Sequence, residues 1–104
     1  MREHLTSIVR LLRENGEPAR AVMLEDAIEG TDEQLGAFLT SNELWGGSGS
    51  VADCALVGRD RSEARRAVER VLIRLGNEQL RAGTVNPRIA MWVEAFTKWK
   101  DMGL

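Results

Sequence analysis

The stretch SEARRAVERVLIRLGNEQLRAG (residues 62–83) is the longest amphipathic segment of the chain. Its apolar residues recur at intervals of three and four, the repeat of one face of an α-helix. We predict one long helix that is capped by Asp60 or Ser62 and ends at Gly83. Gly76 lies inside it, where glycine costs about 1 kcal/mol relative to alanine, and predicts a close helix crossing or a kink. The stripe comprises Ala64, Ala67, Val68, Val71, Leu72 and Leu75.

Start and stop signals predict further helices on both sides of the long one. They also leave a glycine-rich stretch between the third helix and the next. The signals are Gly16 as a stop, Pro18 and Gly30 around a second helix, Thr31 and Gln34 as a capping box with Asn42 as the following stop, Ser50 as the cap of a short segment over 51–57 closed by Gly58, and Asn86-Pro87 as the start of the last helix.

The same signals decide the fold class. No stretch shows the period-two alternation of a half-buried strand. We therefore predict an all-α fold, a single-domain bundle of about five helices over residues 1–104, with the Gly-rich loop between helices 3 and 4. The last helix should turn an aromatic stripe inward, although Trp99 at its end could remain half exposed and serve a homodimer. This stripe consists of Ile89, Trp92, Val93, Phe96 and Trp99.

Composition limits the class of protein. The chain has 104 residues, 43% hydrophobic and 29% charged, with a net charge of −2, which is typical of a globular protein. The single Cys54 excludes an internal disulfide and a multi-cysteine zinc site. No apolar run approaches the ~18 residues of a membrane span, and no signal-peptide core follows the N-terminus. We expect a cytoplasmic protein without a metal or cofactor.

The segment ELWGGSGSVAD (residues 43–53) permits two interpretations. In the first, Trp45 fills the core, the glycines let the chain turn around the indole, and Ser48 or Ser50 caps the next helix. In the second, exposed N–H groups form a concavity for an anion or carbonyl group. Gly47, Gly49 and Ala52 match dinucleotide-binding spacing, but a helix rather than a strand precedes them. The predicted loop site comprises Trp45, Gly46, Gly47, Ser48, Gly49 and Ser50.

Residues that could carry catalysis are sparse. His4 is the only histidine, and no nucleophile is paired with it in the sequence. Cys54 lies in an apolar run, which favours a buried thiol. Glu25 and Glu29 share a helix face, but nothing in the sequence would desolvate them. We therefore predict that the protein is not an enzyme.

Charge is unevenly distributed along the chain. The first 58 residues carry ten carboxylates and four arginines, whereas the remainder carries ten basic and six acidic side chains. Arg66, Arg70 and Arg74 lie four residues apart and repel one another, so we expect a negative neighbour. The first candidate is an acidic run in the same domain, the second is nucleic acid, which the negative net charge disfavours, and the third is an acidic protein. This run comprises Glu25, Asp26, Glu29, Asp32 and Glu33.

The run LWGGSGSVAD (residues 44–53) resembles a motif of small bacterial helical proteins, which are similar in style to the immunity proteins of toxin systems. The resemblance implies a small, cytoplasmic, non-enzymatic protein. The leading hypothesis is a module that neutralises a cognate protein toxin by direct binding through the acidic run, which would steer association. The alternative is a small domain or enzyme that binds an anion or nucleotide at the Gly-rich loop.

Overall fold

Helices make up most of the chain, and the predicted all-α class is confirmed. The computed structural model describes residues 1–57 and 62–104, and this part of the chain contains no strand. None of its helices combines the length and the apolar character needed to cross a membrane. The helices are α1 (Arg2–Glu14), α2 (Pro18–Glu29), α3 (Asp32–Leu39), α4 (Asn42–Trp45), α5 (Val51–Cys54), α6 (Ser62–Ala82) and α7 (Ile89–Asp101).

Several predicted boundaries are confirmed by local geometry. Gly16 and Gly83 follow α1 and α6 with φ of 80° and 77°, the left-handed region that glycine adopts without a Cβ penalty. Thr31 and Gln34 form both bonds of a capping box, because the Gln34 N–H donates to Thr31 Oγ1 at 3.1 Å and the Thr31 N–H donates to Gln34 Oε1 at 2.8 Å. These terminal signals act within one helical turn, so the sequence alone reveals them.

Two boundaries differ from the prediction. Asn42 does not end the third helix; α3 ends at Leu39, and Asn42 begins α4. The hydroxyl of Ser41 donates to the Phe38 carbonyl at 2.6 Å and so competes with continuation of the helix.

The last helix begins later than the signal Asn86-Pro87 predicted. It starts at Ile89, although Asn86 Oδ1 accepts the Arg88 N–H at 2.9 Å, as the side chain of an N-cap residue does. Residues 86–89 form a separate turn closed by the Ile89 N–H and the Asn86 carbonyl at 3.0 Å. The short helix after the Gly-rich loop covers only Val51–Cys54 of the predicted range. The signals placed at Gly58 and Asp60 lie outside the described residues.

The helices enclose one hydrophobic core. Helix α1 packs against α2 on one side and α6 on another, and α7 packs against α6. The single-turn helices α4 and α5 pack against each other and bury Leu44, Trp45 and Val51 completely. The chain between them, residues 46–50, is the Gly-rich loop, so this loop is anchored to the core at both ends.

Trp45 confirms the first interpretation of the segment, in which this side chain fills the core. It is fully buried, and its Nε1–H donates to Gln79 Oε1 at 3.1 Å. Gln79 is fully buried too, and its Nε2 donates to the carbonyls of Leu39 at 2.7 Å and Thr84 at 2.9 Å. Trp92 Nε1 donates to the Trp45 carbonyl at 2.9 Å. A side chain from α6 and one from α7 therefore fix the residue that precedes the loop.

Gly76 marks a close helix crossing, as predicted. A Cβ at this position would lie 2.4 Å from Val93 Cγ2 and 3.2 Å from Trp45 Cη2. Helix α7 and the indole therefore pack directly on the backbone of α6. Glycine lowers helix propensity at this position, but any side chain would push these neighbours apart.

We predict that Gly76→Ala lowers the free energy of unfolding by about 1–3 kcal/mol, because the added methyl group overpacks the crossing. Gly36→Ala is the matched control: this glycine also lies inside a helix, and an added Cβ would meet no atom within 4 Å. The control should gain up to about 1 kcal/mol from helix propensity. Urea unfolding of both variants measures the contrast. Equal stabilities would contradict the close crossing.

Candidate functional site

The Gly-rich loop is built around two side-chain hydrogen bonds of Ser50. Its Oγ–H donates to the Gly46 carbonyl at 2.7 Å, and its Oγ accepts the Asp53 N–H at 3.1 Å. Gly46 is buried, and a Cβ there would lie 2.4 Å from the Asn42 carbonyl oxygen. Gly49 takes φ of 88°, which an L-residue adopts only with strain. The loop therefore needs glycine at two positions for reasons internal to the fold.

The structure separates the six residues of the predicted loop site into two groups. Trp45, Gly46 and Ser50 are buried, whereas Gly47, Ser48 and Gly49 are exposed. The buried three belong to the core and are not accessible to a surface ligand, so the predicted loop site is reduced to the exposed three.

An acidic side chain already lies at the loop where the anion was predicted. The Gly49 N–H donates to Asp53 Oδ2 at 3.4 Å, and the Cys54 thiol lies 3.1 Å from the same oxygen. This carboxylate would repel an incoming anion. Cys54 is half buried rather than fully buried as the sequence indicated.

The five acidic residues of the run lie on α2 and at the start of α3, and we call this surface the acidic face. Two of them are paired with arginines of α1. Glu25 forms an ion pair with Arg13, which raises the pKa of the Arg13 guanidinium by hydrogen bonding and by charge. Asp32 accepts a hydrogen bond from Arg2 at 2.9 Å. The full set is Glu25, Asp26, Glu29, Asp32 and Glu33.

The remaining three carboxylates have no ion-pair partner within the part of the chain that the structure describes. Asp26, Glu29 and Glu33 are all exposed. Spacing of three and four residues places Asp26 and Glu29 on the same side of α2 as Val22, whose side chain is 47% exposed. The acidic face therefore combines uncompensated negative charge with exposed apolar surface.

A shallow depression of about 500 Å³ lies on this surface, between α2 and α3. Met23, Ala27 and Phe38 contribute its apolar part, and Asp26 and Glu43 contribute carboxylates. An apolar centre with a charged rim is the usual arrangement of a protein–protein interface.

The expected pairing between the acidic run and the arginines of α6 is wrong. Arg66, Arg70 and Arg74 are exposed and have no ion pair among the described residues. The reason is that α1 packs against both α2 and α6. Its own arginines, Arg2 and Arg13, form the ion pairs with the carboxylates of the acidic run. The basic row, Arg66, Arg70 and Arg74, therefore forms no ion pair with the acidic face.

Arg65, next to this row in the sequence, has a structural role that the sequence did not reveal. Its side chain is only 12% exposed, and its Nε donates to Glu69 at 2.9 Å. Its guanidinium also donates to the carbonyls of Ala55, at 2.7 Å, and Ala52, and lies 5.5 Å from the Phe96 ring centroid. Arg65 thus anchors the end of α5 to α6 and α7.

A groove of about 430 Å³ opens beside Arg65, between α5, α6 and α7. Among the residues that the structure describes, five apolar side chains and four charged ones line the groove. The apolar ones are Leu56, Val57, Trp92, Trp99 and Leu104, and the charged ones are Asp53, Arg65, Arg66 and Glu69. No pattern in the sequence indicates this groove, because its walls come from three separate segments of the chain.

Three side chains lie close enough to share a metal ion. The ligand atoms of Glu3, His4 and Glu78 lie within 4.8 Å of one another. His4 Nε2 lies 2.8 Å from Glu78 Oε2, and the Met1 amine lies 3.2 Å from Glu3. The bond to the backbone and the amine lower the pKa of Glu3. These contacts form an ion-pair network that joins α1 to α6, which explains why the three side chains lie together.

No known family model, curated protein or solved structure matches this chain. The acidic face and the groove both combine charged side chains that lack an ion pair within the described residues with accessible apolar side chains.

We predict that Ser50→Ala lowers the free energy of unfolding by about 0.5–2 kcal/mol, because the cap of α5 and the bond to Gly46 are lost. Ser48→Ala is the control two residues away, since Ser48 is exposed and makes no side-chain hydrogen bond to a described residue. It should change stability by no more than about 0.5 kcal/mol. Thermal unfolding of both proteins distinguishes them; similar losses would refute the cap.

Proposed function

We propose that this chain is a non-enzymatic protein-binding module that engages a basic protein through the acidic face. The observation that carries the proposal is a set of three exposed carboxylates, Asp26, Glu29 and Glu33, that form no ion pair with a described residue. One of them, Asp26, lines the apolar depression between α2 and α3. Exposed charges that lack intramolecular partners are free to attract a partner of opposite sign.

The two components of this surface have different roles in association. Unpaired carboxylates raise the rate of encounter with a basic surface. The apolar side chains that remain accessible, including Val22 and Met23, exclude water after docking and slow dissociation. The ion pairs Arg13–Glu25 and Arg2–Asp32 join the flanks of the acidic face to α1.

The particular role we propose is that of an immunity protein that binds a cognate toxin. A row of carboxylates presents negative charge as a phosphate backbone does, so it suits the basic active site of an enzyme that acts on nucleic acid. The resemblance of LWGGSGSVAD to small bacterial helical proteins supports this role. The Gly-rich loop would then serve the fold, by positioning Trp45, rather than the contact.

The test is co-expression with the product of the neighbouring reading frame. That product should arrest growth, and this chain should restore it. We predict that the triple variant Asp26→Lys, Glu29→Lys and Glu33→Lys lowers the association rate constant at low ionic strength by about tenfold or more, because steering is lost. Surface-binding kinetics at several salt concentrations measure the rate.

The control carries the same change in net charge elsewhere. Glu63→Lys, Glu94→Lys and Asp101→Lys alter exposed carboxylates of α6 and α7, and this variant should retain most of the association rate. A neighbouring product that is not toxic would refute the immunity role. Equal losses of the association rate in the two triple variants would refute the role of the acidic face.

A further inference from the structure

We propose that the groove between α5, α6 and α7 is a binding site for a small amphipathic carboxylate, a ligand with an apolar body and one negatively charged end. This site is distinct from the acidic face and does not depend on it. Its volume of about 430 Å³ lies within the range of roughly 300–1,000 Å³ that is usual for small-molecule sites.

The apolar part of the site is formed by large side chains that the fold leaves accessible. Trp99 is 37% exposed, Leu104 58% and Val57 62%, and all three line the groove. Trp92 stacks on Phe96 at a centroid distance of 5.3 Å, so this wall is held in place from behind. Several large apolar side chains exposed at one concave place are a usual mark of a binding site.

The charged side chains of the groove differ in whether they are neutralised. Arg65 and Glu69 form an ion pair at 2.9 Å. Asp53 keeps its negative charge, because the Gly49 N–H and the Cys54 thiol that it contacts are uncharged. Arg66 is exposed and has no ion-pair partner among the residues that the structure describes, so it is an unpaired cation of the groove.

A second, smaller cavity next to the groove adds two further positive charges. It has a volume of about 120 Å³ and shares Arg66, Glu69 and Leu104 with the groove, so the two adjoin. Its lining adds Arg70 and Lys100, which are also exposed and lack an ion pair within the described ranges. Arg66 in the groove, with Arg70 and Lys100 in the adjoining cavity, which Asp53 does not line, matches an apolar molecule that ends in a carboxylate.

Arg66 is the residue on which recognition of the charge should depend, because it lines both cavities. Arg74 belongs to the same exposed row of α6 but is not among the lining residues of either cavity. The two arginines thus form a matched pair, both exposed and equal in charge but different in their position relative to the groove.

The experiment compares ligands with and without the charge. Decanoate and 1-decanol share an alkyl chain, as 2-naphthoate and 2-naphthol share a ring system, and calorimetric titration at pH 8 below the aggregation limit gives each dissociation constant. The wild-type protein should bind a carboxylate about threefold to tenfold more tightly than its neutral counterpart, the range for a partly exposed charged contact. Which pair binds more tightly distinguishes an aliphatic from an aromatic source.

The variants then locate the contact. Arg66→Gln should remove the preference for the carboxylate and leave 1-decanol or 2-naphthol unaffected, whereas Arg74→Gln should keep the preference. Trp99→Ser should weaken both members of each pair, because it shortens the apolar wall. Circular dichroism checks that each variant stays folded. Failure of all four ligands to bind, no preference for the charged member, or equal effects of the two arginine variants would overturn the proposal.

Discussion

The hydrogen bond between the indole of Trp45 and Gln79 is the constraint on which the rest of the structure depends. Both side chains are fully buried, and an unsatisfied polar group at that depth costs about 1–3 kcal/mol. Gln79 satisfies the indole and two backbone carbonyls at once. The end of α3, the chain after α6 and the start of the Gly-rich loop are thereby held at one point. The indole also packs on Gly76, where α7 crosses α6 closely.

How much of this was visible in the sequence depends on the range of the interactions. Thr31, Gln34 and Gly83 act within a turn of the chain, so their predictions succeeded. Gln79 looks like an ordinary polar helix residue, because its partners are distant in sequence. Asn86 shows the same limit, since its side chain also binds Thr40 and Asn42 across the fold.

The two candidate surfaces illustrate the same rule for function. The charges of the acidic face could be found in the sequence, because its carboxylates cluster over nine residues. The sequence does not show which of these carboxylates lack an ion pair, because Arg2 and Arg13 of α1 come close to them only in the folded chain. No sequence pattern predicts the groove, because Leu56, Arg66 and Trp99 come from three segments that only packing brings together. Arg65 and Arg66, adjacent in the sequence, take unrelated roles for the same reason.

The position of Trp45 in the chain has a consequence for synthesis. Its two hydrogen-bonding partners on other helices, Gln79 and Trp92, lie 34 and 47 residues further along. A nascent chain emerges N-terminal end first, so this indole leaves the ribosome long before the side chains that bury it. The half-made protein therefore exposes its largest core residue beside a glycine-rich segment, and the last helix must be translated before the core can close.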